Sequence, residues 1–171
     1  SEALSLYGVF TGMALPCILF PSTVTSSASV ILMPSVAEMQ ALGHRKKIRY
    51  ITRTTCTACI LLGSLCTIVF YFLGNFAGTI LFHNTDAGLY IRTLSFICPF
   101  LYTNIALTSI LNGLGKTGTT LVHSVLGILL RISFVIFAIP VLGIRGYLYG
   151  LLLSEILLSL LHIYALYHME F

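Results

Sequence analysis

The sequence predicts an all-α integral membrane protein, a bundle of about five transmembrane helices whose first member is long and proline-kinked. Three observations carry this reading. Of 171 residues, 57% are hydrophobic and only 8% charged, whereas soluble domains carry about 25% charged residues. The mean hydropathy is +0.99. The apolar residues fall in runs near the roughly 20 that cross a bilayer core as a helix, separated by short Gly-, Pro- or charge-rich punctuation. Residues 1–171 therefore read as a single transmembrane helical domain with the lipid bilayer as its first partner, its spans at 6–39, 50–73, 87–111, 119–139 and 147–167.

The first span is the least ordinary. From Leu6 to Met39 the chain carries no charge until Glu38, and its middle holds Ser22, Thr23, Thr25, Ser26, Ser27 and Ser29 between Pro16, Pro21 and Pro34. It is too long for one straight crossing, rather short for two, and lacks a polar turn to join them. Proline kinks a helix and frees a carbonyl, which in lipid must find a local partner. The neighbouring hydroxyls supply such partners. Two compatible readings follow: a kinked helix whose small residues permit close packing, or a substrate-facing helix with Ser26 toward a cavity.

The second span follows the densest charge on the chain, Gly43-His44-Arg45-Lys46-Lys47-Ile48-Arg49, which reads as a loop, with Arg53 one turn inside the span. Gly74 to Gly78 breaks it, and an amphipathic stretch at 79–82 leads to the polar turn His83-Asn84-Thr85-Asp86. Pro99 interrupts the third span, and Asn112-Gly113-Leu114-Gly115-Lys116 makes a tight turn. Pro140 ends the fourth, and the turn Gly143 to Gly146 leads to the fifth. Counting Lys and Arg at the span ends gives six on one side (Arg45, Lys46, Lys47, Arg49, Arg53, Lys116) against Arg92 and Arg145 on the other. That bias places the basic segment in the cytoplasm and Ser1 outside.

Composition also narrows the function classes. The net charge of +4 is concentrated in one segment, which reads as membrane topology rather than nucleic-acid affinity. Cys17, Cys56, Cys59, Cys66 and Cys98 all lie in apolar runs and read as small hydrophobes. Cys56-Thr-Ala-Cys59 has redox spacing but sits within a span without a companion pair. The chain opens Ser-Glu with no basic segment ahead of the first apolar run, so no cleaved signal peptide is expected and the chain reads as part of something longer. The Gly113 to Thr117 run lacks the first glycine of a phosphate-binding loop, since Ile110 stands there. No nucleophile with a base, carboxylate pair or metal set is visible; neither enzyme nor cofactor is expected.

The candidate site residues are the charges inside the spans and one polar stripe of amide and hydroxyl side chains. Arg131 lies nine residues before Pro140 and Glu155 nine after Gly146, so each sits about 13 Å from the same ends of neighbouring antiparallel helices. An ion pair is expected. It either fixes how the helices dock, or lines a cavity in which Arg131 attracts an anion or Glu155 couples ions. The same arithmetic sets His123 beside His162, two turns from Glu155 on the same face. Asn104, Thr108 and Asn112 recur every fourth residue as one stripe, which either bonds a neighbouring helix or lines a cavity.

The run LYGVFTGMALPCILFPSTVTSSASVILMPSVAEMQALGHRKKIRYITRTT, with Phe20-Pro21 and the LMPSVAE segment from Leu32 to Glu38, resembles the region around the central basic loop of a known family. That family is stage V sporulation protein B and related polysaccharide-export proteins, within the multidrug/oligosaccharidyl-lipid/polysaccharide exporter superfamily. ILNGLGKTG from Ile110 and PVLGIRG from Pro140 look like its later turns. The resemblance implies part of the C-terminal lobe of a two-lobe transporter in the bacterial plasma membrane, with the remaining lobe as a partner. It implies alternating-access flipping of undecaprenyl-pyrophosphate-linked oligosaccharide or peptidoglycan precursors for cell-wall or spore-cortex synthesis. Arg53, Arg92 and Arg131 match basic positions that would meet a pyrophosphate. Alternatives are a cation-coupled multidrug exporter of the same superfamily, with Glu155 as the coupling group, and a non-transporting membrane scaffold that recruits envelope enzymes through the basic loop.

Overall fold

A computed structural model describes residues 4–5, 8, 12, 15–76 and 91–168. Among them no strand occurs. The elements are α1 (Leu15–Leu19), α2 (Ser22–Ala41), α3 (Arg45–Phe76), a 3-10 turn (Ser95–Ile97) continuing into α4 (Cys98–Gly113), α5 (Thr117–Phe137), the short α6 (Ile139–Leu142) and α7 (Ile144–Tyr167). Among the described residues four helical stretches are long and apolar enough to cross a membrane: Arg45–Gly74, Ile91–Gly113, Thr117–Phe137 and Arg145–Tyr167. α2 has the length, at 20 residues, but its hydroxyls keep it out of that set. The protein is an all-α, multi-pass membrane bundle.

The opening segment is not one continuous kinked helix. It breaks at Phe20-Pro21, between α1 and α2, because Pro21 has no N–H to give. Ser22 Oγ donates to the Leu19 carbonyl and Thr23 Oγ1 to that of Phe20 at 2.7 Å, the partners expected for carbonyls near the break. Pro16 lies in the first turn of α1, where proline is tolerated. Pro34 sits inside α2 without ending it. The expected basic loop is also mostly helix. α3 starts at Arg45, since Arg and Lys are good helix formers. Only Leu42 to His44 turn, closed by Gly43 at φ 73° with His44 N bonded to Met39 O at 2.9 Å. Gly115, at φ 81°, closes α4 in the same way, through Lys116 N to Leu111 O at 2.9 Å. These are paired left-handed glycine caps. α3 ends at Phe76, inside the Gly74 to Gly78 run expected to break it, and α5 stops at Phe137, three residues before Pro140. The amphipathic stretch expected at 79–82 and the turn at 83–86 lie outside the described residues.

α4 is the central helix. Its apolar window is 61% buried, against 17% for α3 and α5 and 33% for α7. It packs on α2, α3 and α7, and its C-terminus is tied to α2 by Gln40 Nε2 donating to Leu114 O at 3.2 Å. Gly63 of α3 lies so close to Pro99 that a Cβ there would sit 2.2 Å from its Cα. Thr67 Oγ1, 2.7 Å from the Ser95 carbonyl, joins α3 to the 3-10 turn. α2 turns Thr25, Ser29 and Val36 inward and exposes Val24, Val30 and Ile31. Large apolar side chains likewise cover the outer faces of α3 (Leu61, Phe72) and α5 (Leu121, Ile128, Phe137). These aliphatic outer faces suit lipid as the surrounding solvent, while on α2 the outer face also carries the hydroxyls of Thr23, Ser26 and Ser27.

Candidate functional site

α5 and α7 are joined by a tight turn at Gly143 (φ 66°) and run antiparallel, so their facing residues step in opposite directions. Ala138 meets Gly146, Phe134 meets Gly150 and Gly127 meets Leu158; Cβ atoms added to these glycines would lie 2.8, 2.8 and 3.3 Å from their nearest neighbours. Gly146 and Gly150 thus work as the small-residue pair that lets α7 approach α5–α6. Between these contacts the seam is polar.

Arg131 of α5 and Glu155 of α7 form the expected ion pair, Nη2 to Oε1 at 2.6 Å. The Arg131 side chain is 36% exposed and that of Glu155 only 7%. Arg131 Nε also donates to Ser154 Oγ at 2.7 Å. Asn104 of α4 donates through Nδ2 to Glu155 Oε2 at 2.7 Å and to the Glu155 carbonyl at 2.9 Å. Ser159 Oγ then donates to Asn104 Oδ1 at 3.0 Å. An ionised carboxylate in an apolar interior is tolerable only when it is paired and each oxygen has a donor. Glu155 meets both conditions.

The stripe on α4 continues the seam. Thr108 Oγ1 lies 3.2 Å from His162 Nε2, and Asn112 Oδ1 accepts from Thr120 Oγ1 of α5 at 2.8 Å. His123 and His162 face each other, Nδ1 to Nδ1, at 2.8 Å. The stripe therefore ties α4 to α7 and α5, and every buried side-chain N or O among the described residues has a partner.

The three arginines that would meet a pyrophosphate do not share one set of neighbours. Arg92 stacks over the Tyr71 ring, 4.7 Å from its centroid, and Arg131 is held by Glu155 and Ser154. Arg53 lines a half-open groove of about 490 Å³ with Arg49, Thr52 and Cys56 of α3, Leu107 of α4, and Ile163, Leu166 and Tyr167 of α7. Ser26 is exposed on α2. Sequence reasoning missed Ser154 and Ser159, which look like any small residues of an apolar helix. It also missed the partnership of Arg49 with Arg53, which their four-residue spacing on a helix signals. Cys56, Cys59, Cys66 and Cys98 are thiols not joined in disulfides, and among the described residues no cluster of three His, Cys, Asp or Glu could hold a metal.

Fold and site together define a multi-pass helical membrane bundle with a charge-bearing polar seam between α4, α5 and α7 and a basic groove beside it. The chain is similar to stage V sporulation protein B of Bacillus subtilis (strain 168), at 24% identity over 162 residues. The match covers 94% of this chain and 31% of that protein, so the chain spans about a third of the length of the curated relative it matches. The resemblance noted in the residues thus extends along the chain, as a segment similar to part of a longer protein. No family model and no solved structure matches the chain.

Proposed function

We propose that this chain is part of an exporter-type transporter that flips a lipid-linked oligosaccharide or peptidoglycan precursor across the bacterial plasma membrane by alternating access, for envelope or spore-cortex synthesis. The observation that carries this reading is the groove. Arg49 and Arg53, one turn apart on α3, present two planar guanidinium forks suited to phosphate oxygens. Leu107, Ile163 and Leu166 offer an apolar wall for the first methylenes of the lipid. A volume of about 490 Å³ falls in the range of about 300–1,000 Å³ typical of ligand sites. α4, α5 and α7, tied along their length by the polar seam, would move as one unit against the remaining lobe. The similarity to a sporulation protein supports the envelope setting. An exporter of cationic drugs would need Glu155 as its ion-coupling group, and both of its carboxylate oxygens are already engaged.

The test is reconstitution of the full-length transporter in liposomes with a fluorescent undecaprenyl-pyrophosphate saccharide, reading its exposure to a membrane-impermeant quencher. Arg49→Ala/Arg53→Ala should slow flipping about tenfold or more, because a hydrogen bond to a charged group contributes about 1.5–3 kcal/mol, in a variant that still folds and inserts. An undiminished rate in the folded double variant rules this reading out.

A further inference from the structure

The His123–His162 pair belongs to the seam but has no role in the groove that carries that reading. Its rings are tilted by 40° with centroids 4.9 Å apart, and the two Nδ1 atoms are 2.8 Å apart. At that distance they hold one proton between them. With no hydrogen two lone pairs oppose each other, and with two hydrogens two N–H groups collide. The hydroxyl of Thr108, 3.2 Å from His162 Nε2, rotates to donate or accept as needed. With both rings neutral, the chain Thr108–His162–His123 can take one more proton without moving a heavy atom. Either Thr108 turns from donor to acceptor as His162 Nε2 gains hydrogen, or His123 Nε2 takes the proton. A second added proton places hydrogen on both Nδ1 atoms, and the contact cannot survive.

We propose that the His123–His162 pair is a proton-binding site in the α5–α7 seam, which takes up one proton in place and on the second separates the two helices at that level. Among the described residues, none around the pair is free to neutralise two charges. From α4 the seam receives Asn104, Thr108 and Asn112, none of which ionises. On α7 the acid is Glu155, seven residues and about 10 Å of rise away and committed to Arg131. α5 adds Lys116 before its first turn, and Tyr164 and His168 stack on each other beyond His162. α3 brings two more cations, Arg49 and Arg53, against Ile163, Leu166 and Tyr167 in the groove. Gly127, one turn along α5, rests on Leu158, so this contact reports the opening.

The measurement is solid-state NMR on the chain in lipid bilayers, with ¹⁵N-histidine and ¹³C labels, between about pH 8 and pH 4, where imidazoles titrate. Near neutral pH the pair should show one protonated and one bare Nδ1. On acidification one imidazolium should appear with the Gly127–Leu158 cross-peak retained. The second should appear together with loss of that peak. In His123→Gln the amide oxygen accepts from a charged His162, so the peak should persist at acid pH. Two imidazolium rings with the peak intact, no second imidazolium at the lowest pH, or loss of the peak in His123→Gln at the wild-type pH would each overturn the proposal.

Discussion

Asn104 and Glu155 meet across α4 and α7 through a single amide nitrogen, which donates to carboxylate Oε2 at 2.7 Å and to the backbone carbonyl at 2.9 Å. With Arg131 on Oε1 at 2.6 Å, the carboxylate is held from two helices at once. The central helix is thereby fixed in rotation as well as in depth, because an amide reaches both acceptors from only one orientation.

Asn104→Leu should destabilise the purified protein by about 1–3 kcal/mol, the cost of leaving a buried acceptor unmade. Asn104→Asp should cost more, since it replaces the donor with a second carboxylate facing the first. The ordering of melting temperatures in one detergent, wild type above Leu above Asp, checks both.

Removing Arg131 takes away the cation paired with Glu155 and leaves its carboxylate only the neutral Asn104 donor. Breaking a buried pair typically costs about 3–5 kcal/mol, but the Arg131 side chain is 36% exposed, so solvent replaces part of the loss. Arg131→Met is expected to cost about 2 kcal/mol. Arg131→Met/Glu155→Gln should recover more than half of this, and a double-mutant cycle on thermal unfolding measures the coupling.

Two glycines separate close approach from open space. In Gly63→Ala the new Cβ would meet backbone, 2.2 Å from Pro99 Cα, so α3 must move off α4 and folded yield should collapse. Gly118→Ala, with nothing within 4 Å, should be neutral or raise stability by about 0.5–1 kcal/mol through helix propensity. Fluorescence-detected size exclusion of the two variants decides this.

The described thiols should differ sharply in reactivity. Cys56 lines the groove, whereas Cys59, Cys66 and Cys98 are 7%, 9% and 0% exposed. A soluble maleimide should modify Cys56 at least about tenfold faster than Cys98, because reaction requires access of the reagent to the sulfur. Peptide mass spectrometry against time reads the rates, and a phosphate-headed lipid bound between Arg49 and Arg53 should protect Cys56 selectively.

Much of this arrangement was legible because helices are rulers. Counting nine residues from Pro140 back to Arg131 and nine from Gly146 on to Glu155 was enough to pair them, and the same count paired His123 with His162. The stripe Asn104-Thr108-Asn112 announced itself by period, and the structure assigns it to bonding between helices. Phe20-Pro21 was read as a kink and is a break, since proline's lost donor is visible in sequence while the local geometry that absorbs it is not. Arg45 to Arg49 read as loop because charge marks a membrane boundary, yet those side chains favour helix wherever the boundary falls. The groove was hidden because it needs α3 and α7 side by side, and no spacing within one helix reveals which non-sequential neighbours it will have.

The polar stripe of α4 also has a biosynthetic side. Asn104 and Thr108 find their partners on α7, 51 and 54 residues later in the chain. During N-to-C synthesis α4 enters the membrane while Glu155 and His162 have yet to be made. Its amide and hydroxyl must meanwhile be satisfied by water, by the insertion machinery, or by temporary contacts that α7 later displaces. The most deeply buried helix is therefore completed last, and a ribosome stalled before Ile144 would leave its central stripe uncapped.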